Sequence, residues 1–320
     1  MAKRHYPKSD HFDGKKFFNP QKVTTKSLWQ VLKWQLAGNQ KSWPKWVQNK
    51  AVPAPQSPDS EKSVAVTFIN HATYLFQTKS LNILIDPVFS NRVSPSQLIG
   101  PKRVRAPGLS LEKLPKIDLV LVTHNHYDHL DIEAIKCLEK LFNPIFVVPL
   151  GNAEIREKQN FSHVKELDWW ESFEVSDLKV TLTPAQHWSG RSLSDRYESL
   201  WGGFYLEFSN KKIFWAGDTG YSKHFHKICK KLGTPDLSFL PIGAYEPRWF
   251  MKDMHMNPRD AVKAHQDLQT PLSIGMHYGT FQLTDESLQS PAEELEIAKK
   301  QNGISNFIVL LEGETRVFHL

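Results

Sequence analysis

Six consecutive positions, His124-Asn125-His126-Tyr127-Asp128-His129, carry three imidazoles and a carboxylate. Crowding that many polar groups together is costly unless a cation gathers them. Imidazole nitrogens and carboxylate oxygens are the natural ligands of zinc-like ions. On extended backbone His124 and His126, two apart, point the same way and can share one ion, leaving Asp128 and His129 to a second. Two ions need more ligands than this, and His187, Asp218 and His277 supply them, each just past a hydrophobic run. Asp218 can bridge two cations with its two oxygens. A lone His at a strand end is more often structural than a ligand, but a cluster of this size reverses those odds. The expectation is therefore a pair of Zn(2+) ions on His124, His126, Asp128, His129, His187, Asp218 and His277. Such a pair lowers the pKa of water and offsets charge on a phosphoryl oxygen, so the chain is expected to be a two-metal hydrolase. A purely structural zinc protein would show closed sets of four ligands, often Cys, whereas seven ligands for two ions leave coordination open.

Rigid elements must hold these side chains. The motif sits between a buried strand over 118–123 and a helix over 131–140. Earlier, short strands over 64–69, 73–77 and 81–85 open an antiparallel arrangement. Later strands are read over 144–149, 179–183, 203–208, 213–216, 237–241, 272–276, 307–311 and 315–318. Helices are read near 152–159, 222–231, 258–268 and 291–301; Pro258 suits a first helical turn. Strands in two batches with helices between them predict an α/β fold of two packed sheets with helices outside, a four-layer αβ/βα sandwich. Residues 87–115, with five Pro, read as a long loop over one side of the protein, where loops are more often functional than idle. Gly217-Asp218-Thr219-Gly220 lacks the spacing and the Lys of a phosphate loop.

Charge divides the chain at a Pro-rich linker over 51–60. Residues 1–60 hold 11 Lys/Arg against 3 Asp/Glu, and the other 260 hold 29 against 31. The expected organisation is a basic, Trp-bearing N-terminal segment over 1–60 and a hydrolase domain over 61–320. A nearly neutral body argues against a nucleic-acid groove, which needs Lys/Arg along it. Within the segment a short helix over 27–36 places Leu28, Val31, Leu32, Gln35 and Leu36 on one face, and Lys41, Trp43, Lys45 and Trp46 follow. Basic residues beside Trp suit an anionic membrane surface, contacted peripherally; the alternative is a helix packed on the body, and both hold if only one face is buried. No run approaches the length of a membrane span, and no secretory signal is read at the start. Two cysteines are too few for a disulfide framework and fit a reducing compartment. These features predict a cytoplasmic protein on the inner face of a membrane, and they leave a homodimer open.

The motif His-x-His-x-Asp-His, followed by a later His, Gly-Asp and a last His, resembles the metallo-β-lactamase superfamily. Longer phrases are similar to its N-acylphosphatidylethanolamine-hydrolysing phospholipase D family. They include Asn70-His71-Ala72-Thr73, Asp86-Pro87-Val88-Phe89-Ser90, Gln186-His187-Trp188, the run from Pro241 to Met251, and His277-Tyr278-Gly279-Thr280-Phe281. The likeness runs from about 60 to 320. It implies a metallo-β-lactamase sandwich with His124, His126 and His187 on one zinc, Asp128, His129 and His277 on the other, and Asp218 between them. It further implies that Asp86 and His265 serve catalysis and that Tyr127 and Arg191 lie near a substrate phosphate. The implied reaction splits N-acylphosphatidylethanolamine into N-acylethanolamine and phosphatidic acid. The rival is another hydrolase of the same fold, acting on a lactone or a soluble phosphodiester.

Overall fold

A computed structural model describes the chain except for residues 1–5, 22, 24–25, 55, 153–160, 162 and 193. The helix expected over 152–159 falls almost wholly outside the described residues. Among the described residues, fourteen strands form two seven-stranded sheets. The first takes β1 (Ser63–Asn70), β2 (Thr73–Gln77), β3 (Asn82–Ile85), β4 (Leu119–Leu121), β5 (Ile145–Pro149), β6 (Val164–Leu167) and the last strand, β14 (Thr315–His319). The second takes β7 (Ser172–Val175), β8 (Leu178–Thr183), β9 (Gly203–Phe208), β10 (Lys211–Trp215), β11 (Leu237–Pro241), β12 (Ser273–Met276) and β13 (Phe307–Ile308). Each sheet begins as antiparallel hairpins and ends as parallel strands. In the first, β14, β1, β2 and β3 pair antiparallel, and β3 to β6 run parallel. In the second, β7 to β10 pair antiparallel, and β10 to β13 run parallel.

Strand alternation explains the layering. Leu119 and Leu121 of β4 join Val66, Phe68, Tyr74 and Phe76 in one core with Trp215 and Phe239 of the facing sheet. Val120 and Val122, pointing the other way, join Leu84, Val148 and residues Ile135 and Leu138 of helix α2 (Ile132–Phe142). This double burial explains why β4 reads as a continuous apolar run. Each such aliphatic side chain contributes roughly 1.5–3 kcal/mol on full burial. Outside the second sheet lie α3 (His224–Leu232), α5 (Pro258–Leu268) and α6 (Ser290–Asn302), whose Phe225, Ile228, Ala261, Val262 and Leu295 join the same core. The expected α/β sandwich is therefore the fold observed. Strands β6 and β7 and the one-turn helix α4 (Arg248–Met251) were not anticipated, because each is four residues long and partly exposed.

The basic segment lies against this body. Helix α1 (Leu28–Ala37) is capped by Ser27 and Gln30 in a capping box and stopped by Gly38 in the left-handed conformation. Trp34 donates its indole N–H to Asp285 at 2.9 Å and packs on Phe250. Trp43 donates to the Glu286 carbonyl. These aromatic anchors turn Leu32 and Leu36 of the expected apolar face toward solvent, the latter 75% exposed.

Candidate metal centre

Every predicted ligand emerges where a strand ends. His124 to His129 follow β4, His187 follows β8, Asp218 follows β10, and His277 follows β12. Helix α2 then starts with Asp131 as its cap, accepting from Glu133 N and Ala134 N, so the motif is held between two fixed ends. Gly217, just before Asp218, has φ +63°, and a Cβ there would lie 2.7 Å from the Gly202 carbonyl oxygen. Only glycine allows the chain to turn there and present Asp218 inward.

Asp218 is the centre of the arrangement. Its Oδ2 lies 3.1 Å from His277 Nε2, 3.3 Å from His129 Nε2, 3.7 Å from His187 Nε2 and 3.9 Å from His124 Nε2. On one side His126 Nδ1 stands 2.9 Å from His124 Nε2 and 3.3 Å from His187 Nε2. On the other, Asp128 Oδ2 lies 3.2 Å from His277 Nε2 and 3.6 Å from His129 Nε2. All seven predicted ligands are thus brought together.

Two further histidines join them. His71, in the turn between β1 and β2, places Nε2 3.2 Å from Asp128 Oδ2 and its ring 4.1 Å from that of His277. His255, after α4, has Nδ1 3.9 Å from Asp218 Oδ2 and its ring 5.1 Å from that of His187. His71, Asp86 and His277 all have positive φ, a strain of order 1–3 kcal/mol each that the surrounding packing must hold.

A second layer fixes the imidazoles. Asp86 is fully buried and accepts from Thr123 N at 2.8 Å, Thr123 Oγ1 at 2.8 Å and His129 Nδ1 at 2.9 Å. It therefore orients His129 and leaves His129 Nε2 facing Asp218. His187 donates Nδ1–H to the Met254 carbonyl at 3.1 Å, which likewise leaves Nε2 free.

Two predicted helpers sit differently from expectation. His265 lies on α5 with Nδ1 2.8 Å from Ser273 Oγ and its ring stacked on Phe307. Ser273 begins β12 and His277 follows its end, so His265 belongs to the core behind the opposite end of the strand. Its place in the helix shows why: it shares the buried face of Ala261, Val262, Ala264 and Leu268. His255 occupies the position beside Asp218 instead. Arg191 uses one nitrogen, Nη1, to donate to both Asn125 O (2.9 Å) and Leu130 O (2.8 Å). Its guanidinium lies 3.9 Å over the Tyr127 ring, and Tyr127 donates its hydroxyl to the Arg191 carbonyl. The pair clasps the metal motif from both ends rather than presenting a free face to a phosphate.

Electrostatics match a cation site. Burial pushes the imidazoles of His124, His126 and His187 down, that of His126 to about 4, leaving neutral rings with lone pairs to offer. Burial would do the same to His129 and His277, but Asp218 and Asp128 outweigh it and raise both, His277 to about 9. Burial alone would raise the Asp128 and Asp218 carboxyls; chiefly the charge on His129 and the hydrogen bonds of His277 hold them well below the usual range. At the cluster, six buried atoms of the described residues have no hydrogen-bond partner: His71 Nδ1, His126 Nε2, His129 Nε2, His255 Nδ1, His277 Nδ1 and Asp218 Oδ1. Leaving several such groups unsatisfied would cost about 1–3 kcal/mol each. The 3.3 Å between His126 Nδ1 and His187 Nε2 is close to the edge of a tetrahedron of zinc–nitrogen bonds of about 2.0–2.1 Å. The residues present therefore fit divalent metal ions in a nitrogen- and oxygen-rich setting.

Comparison with known proteins agrees with the geometry. Residues 81–278 match the Beta-lactamase superfamily domain. Over 270 residues the chain is 41% identical to N-acyl-phosphatidylethanolamine-hydrolyzing phospholipase D 1 of Caenorhabditis elegans, covering 80% of this chain and 76% of that protein. It is 38% identical over 246 residues to the mitochondrial N-acyl-phosphatidylethanolamine-hydrolyzing phospholipase D of Saccharomyces cerevisiae, covering 74% of this chain. The match spans about half, 52%, of the yeast protein's length. Among solved structures, Igni18, a metallo hydrolase from Ignicoccus hospitalis, superposes with a TM-score of 0.61 at 23% identity, covering 80% of this chain and 98% of that one. With seven residues able to hold metal assembled at the strand ends of two facing sheets, this chain is a metallo-hydrolase that belongs to the metallo-β-lactamase superfamily and, within it, to the N-acylphosphatidylethanolamine-hydrolysing phospholipase D family.

Proposed function

We propose that the chain is a zinc-dependent phosphodiesterase of phospholipase D type, hydrolysing N-acylphosphatidylethanolamine to N-acylethanolamine and phosphatidic acid. The observation that carries two-metal hydrolysis is Asp218 Oδ2, one oxygen within 3.9 Å of five imidazole nitrogens on both sides of the cluster. The lipid class rests on the names of the relatives at about 40% identity. His124, His126 and His187 would hold one ion, and Asp128, His129 and His277 the other, with Asp218 shared. When bound, such a pair acidifies water and neutralises charge growing on a phosphoryl oxygen.

The remaining steps belong to the chain's own side chains. Asp86 keeps His129 in one tautomer and orientation through its hydrogen bond to Nδ1. Overall, an oxygen from water joins phosphorus, the bond from phosphorus to the N-acylethanolamine oxygen breaks, and that oxygen takes up a proton. His255, neutral near pH 7 because burial pushes its imidazole down to about 4, is placed beside Asp218 to relay to that oxygen the proton the water gives up. Its Nδ1 has no hydrogen-bond partner and lies 3.9 Å from Asp218 Oδ2, and its side chain is 14% exposed.

The lipid would be drawn from a bilayer met at its surface. Among the described residues no helix is long and apolar enough to cross a membrane. Trp29, Leu32, Leu36, Trp46 and Trp249 stand exposed, and Lys33 lies 5.8 Å over the Trp249 ring.

The test is hydrolysis of a mixture of diacyl, N-acyl and lyso phospholipids by metal-loaded protein, with mass spectrometry of the products. N-acylethanolamine and phosphatidic acid should accumulate together. Turnover of a lactone or a soluble diester with none of these lipids would overturn the lipid assignment.

A further inference from the structure

Residues 6–21 are built into the body beside the metal centre. Phe12 and Phe17 are buried in the main core. Phe17 N donates to the Tyr197 carbonyl at 2.9 Å, and the Tyr6 hydroxyl accepts from Gly151 N at 2.9 Å. The His11 ring stacks 4.4 Å from that of Trp169, and its two nitrogens reach Asp10 (2.6 Å) and Asp168 (2.7 Å). This run of contacts delivers Asn19 to His187. The Asn19 amide donates from Nδ2 to the His187 carbonyl at 2.7 Å, and its Oδ1 accepts from His187 N at 3.1 Å.

That pair of bonds occupies both backbone groups of one residue, as a neighbouring strand would. His187 needs it. It lies beyond the end of β8, on irregular backbone with no sheet partner, yet its side chain is fully buried and must aim Nε2 at the cluster. Apart from its contacts within the cluster, the imidazole is fixed by Nδ1 donating to the Met254 carbonyl. A hinge at the backbone would swing Nε2 away from His126 and Asp218. Asn19 removes that freedom before any ion arrives, and preorganised ligands bind metal more tightly.

We propose that Asn19 is a positioning residue of the metal centre, and that the N-terminal segment is in this way part of the hydrolase unit. The inference rests on reading the cluster as a two-ion site, with His187 serving one of the ions.

The test uses the full chain with Asn19→Ala, Asn19→Asp and, as a control in the same segment, Trp43→Phe, which removes the indole bond to Glu286. Zinc retained per chain is measured across a chelator series. The visible spectrum of cobalt-substituted protein and the melting of metal-stripped protein are measured alongside. Asn19→Ala should release one of two equivalents at about tenfold lower chelator concentration and alter the cobalt bands. Its metal-free form should melt within about 4 °C of the parent. Asn19→Asp keeps the acceptor for His187 N–H but loses the donor, so it should fall between Ala and the parent. Trp43→Phe should match the parent. Retention of both ions by Asn19→Ala at the parent's chelator concentration would overturn the proposal. So would equal metal loss in Trp43→Phe, or metal loss that merely follows unfolding of the stripped protein. A parent that binds a single equivalent would refute the two-ion reading, and Asn19 would then stand or fall on the affinity of that one ion.

Discussion

Three residues separate binding metal from using it. Asp218→Asn removes the shared negative charge while keeping the shape, so one oxygen no longer holds imidazoles from both sides together. Metal content and turnover should fall together, turnover by at least about 10²-fold, exceeding the usual effect of outer partners. His255→Ala should retain both equivalents by metal analysis and slow turnover by about 10²–10⁴-fold, the range of a lost proton donor. His265→Ala breaks a buried bond to Ser273 and should cost about 1–3 kcal/mol of stability, with turnover within about twofold of the parent. If His265→Ala slows turnover as much as His255→Ala, the assignment of the helper to His255 is wrong. The seven clustered candidate residues were legible because six positions concentrate four of them and the others follow apolar strands. His71 and His255 were not, since each stands alone in a turn or a Met-rich stretch, Met254-His255-Met256, with no spacing to betray it. The phrase Asn70-His71-Ala72-Thr73 did hold a signal: a His at a tight turn between two buried strands faces the same end of the sheet as His124.

At the scale of elements, the metal motif is a loop tied at both ends. Asp86 holds Thr123 where β4 ends, Asp131 caps α2, and Arg191 reaches across to the carbonyls of Asn125 and Leu130. A clasp and a phosphate-binding arginine make different kinetic predictions. Arg191→Met should weaken metal retention about tenfold and destabilise the protein by about 2–3 kcal/mol through two orphaned carbonyls. At saturating zinc its KM should stay near the parent value. A raised KM with undiminished metal affinity would instead place Arg191 on the substrate. Strand positions were largely legible because buried parallel strands make continuous apolar runs, as in β4 and β5. The sheet order was not, because pairing depends on which crossover each helix makes. The orientation of α1 was read only in part: aliphatic periodicity marked Leu32 and Leu36 as its apolar face, but an indole hydrogen bond to Asp285 and packing on Phe250 fixed the helix by Trp34.

For the whole molecule, the proposed lipid substrate would require a nearly neutral body with a basic N-terminal segment to meet a bilayer surface. In sequence, Trp29, Trp34, Trp43 and Trp46 interleave with Lys26, Lys33, Lys41 and Lys45 as one docking strip, but the structure divides it. Trp34 and Trp43 are engaged with the body, while Trp29 is 72% exposed and Trp46 also faces solvent. Lys26 likewise turns inward, lying 3.6 Å from Asp253 and donating to the Trp249 carbonyl. Asp253 O in turn accepts from Gln186 Nε2, next to His187, so Lys26 bears on the metal centre and would confuse a test of membrane binding. Lys33, Lys41 and Lys45 remain, and each contributes on the order of 1 kcal/mol near an anionic surface. Changing these three to Gln should weaken binding to anionic vesicles by about 10- to 100-fold at low salt. High salt should weaken parent binding without abolishing it, because screening removes charge attraction but leaves shallow insertion of Trp29, Leu32 and Leu36. A second variant, Trp29→Ser with Leu36→Ser, should lose the salt-resistant part. Both variants should lower turnover of vesicle substrate and leave hydrolysis of a short-chain soluble diester nearly unchanged. Equal losses on vesicle and soluble substrates would mean that the exposed face supports the fold or the pocket, and the proposed membrane docking would be overturned.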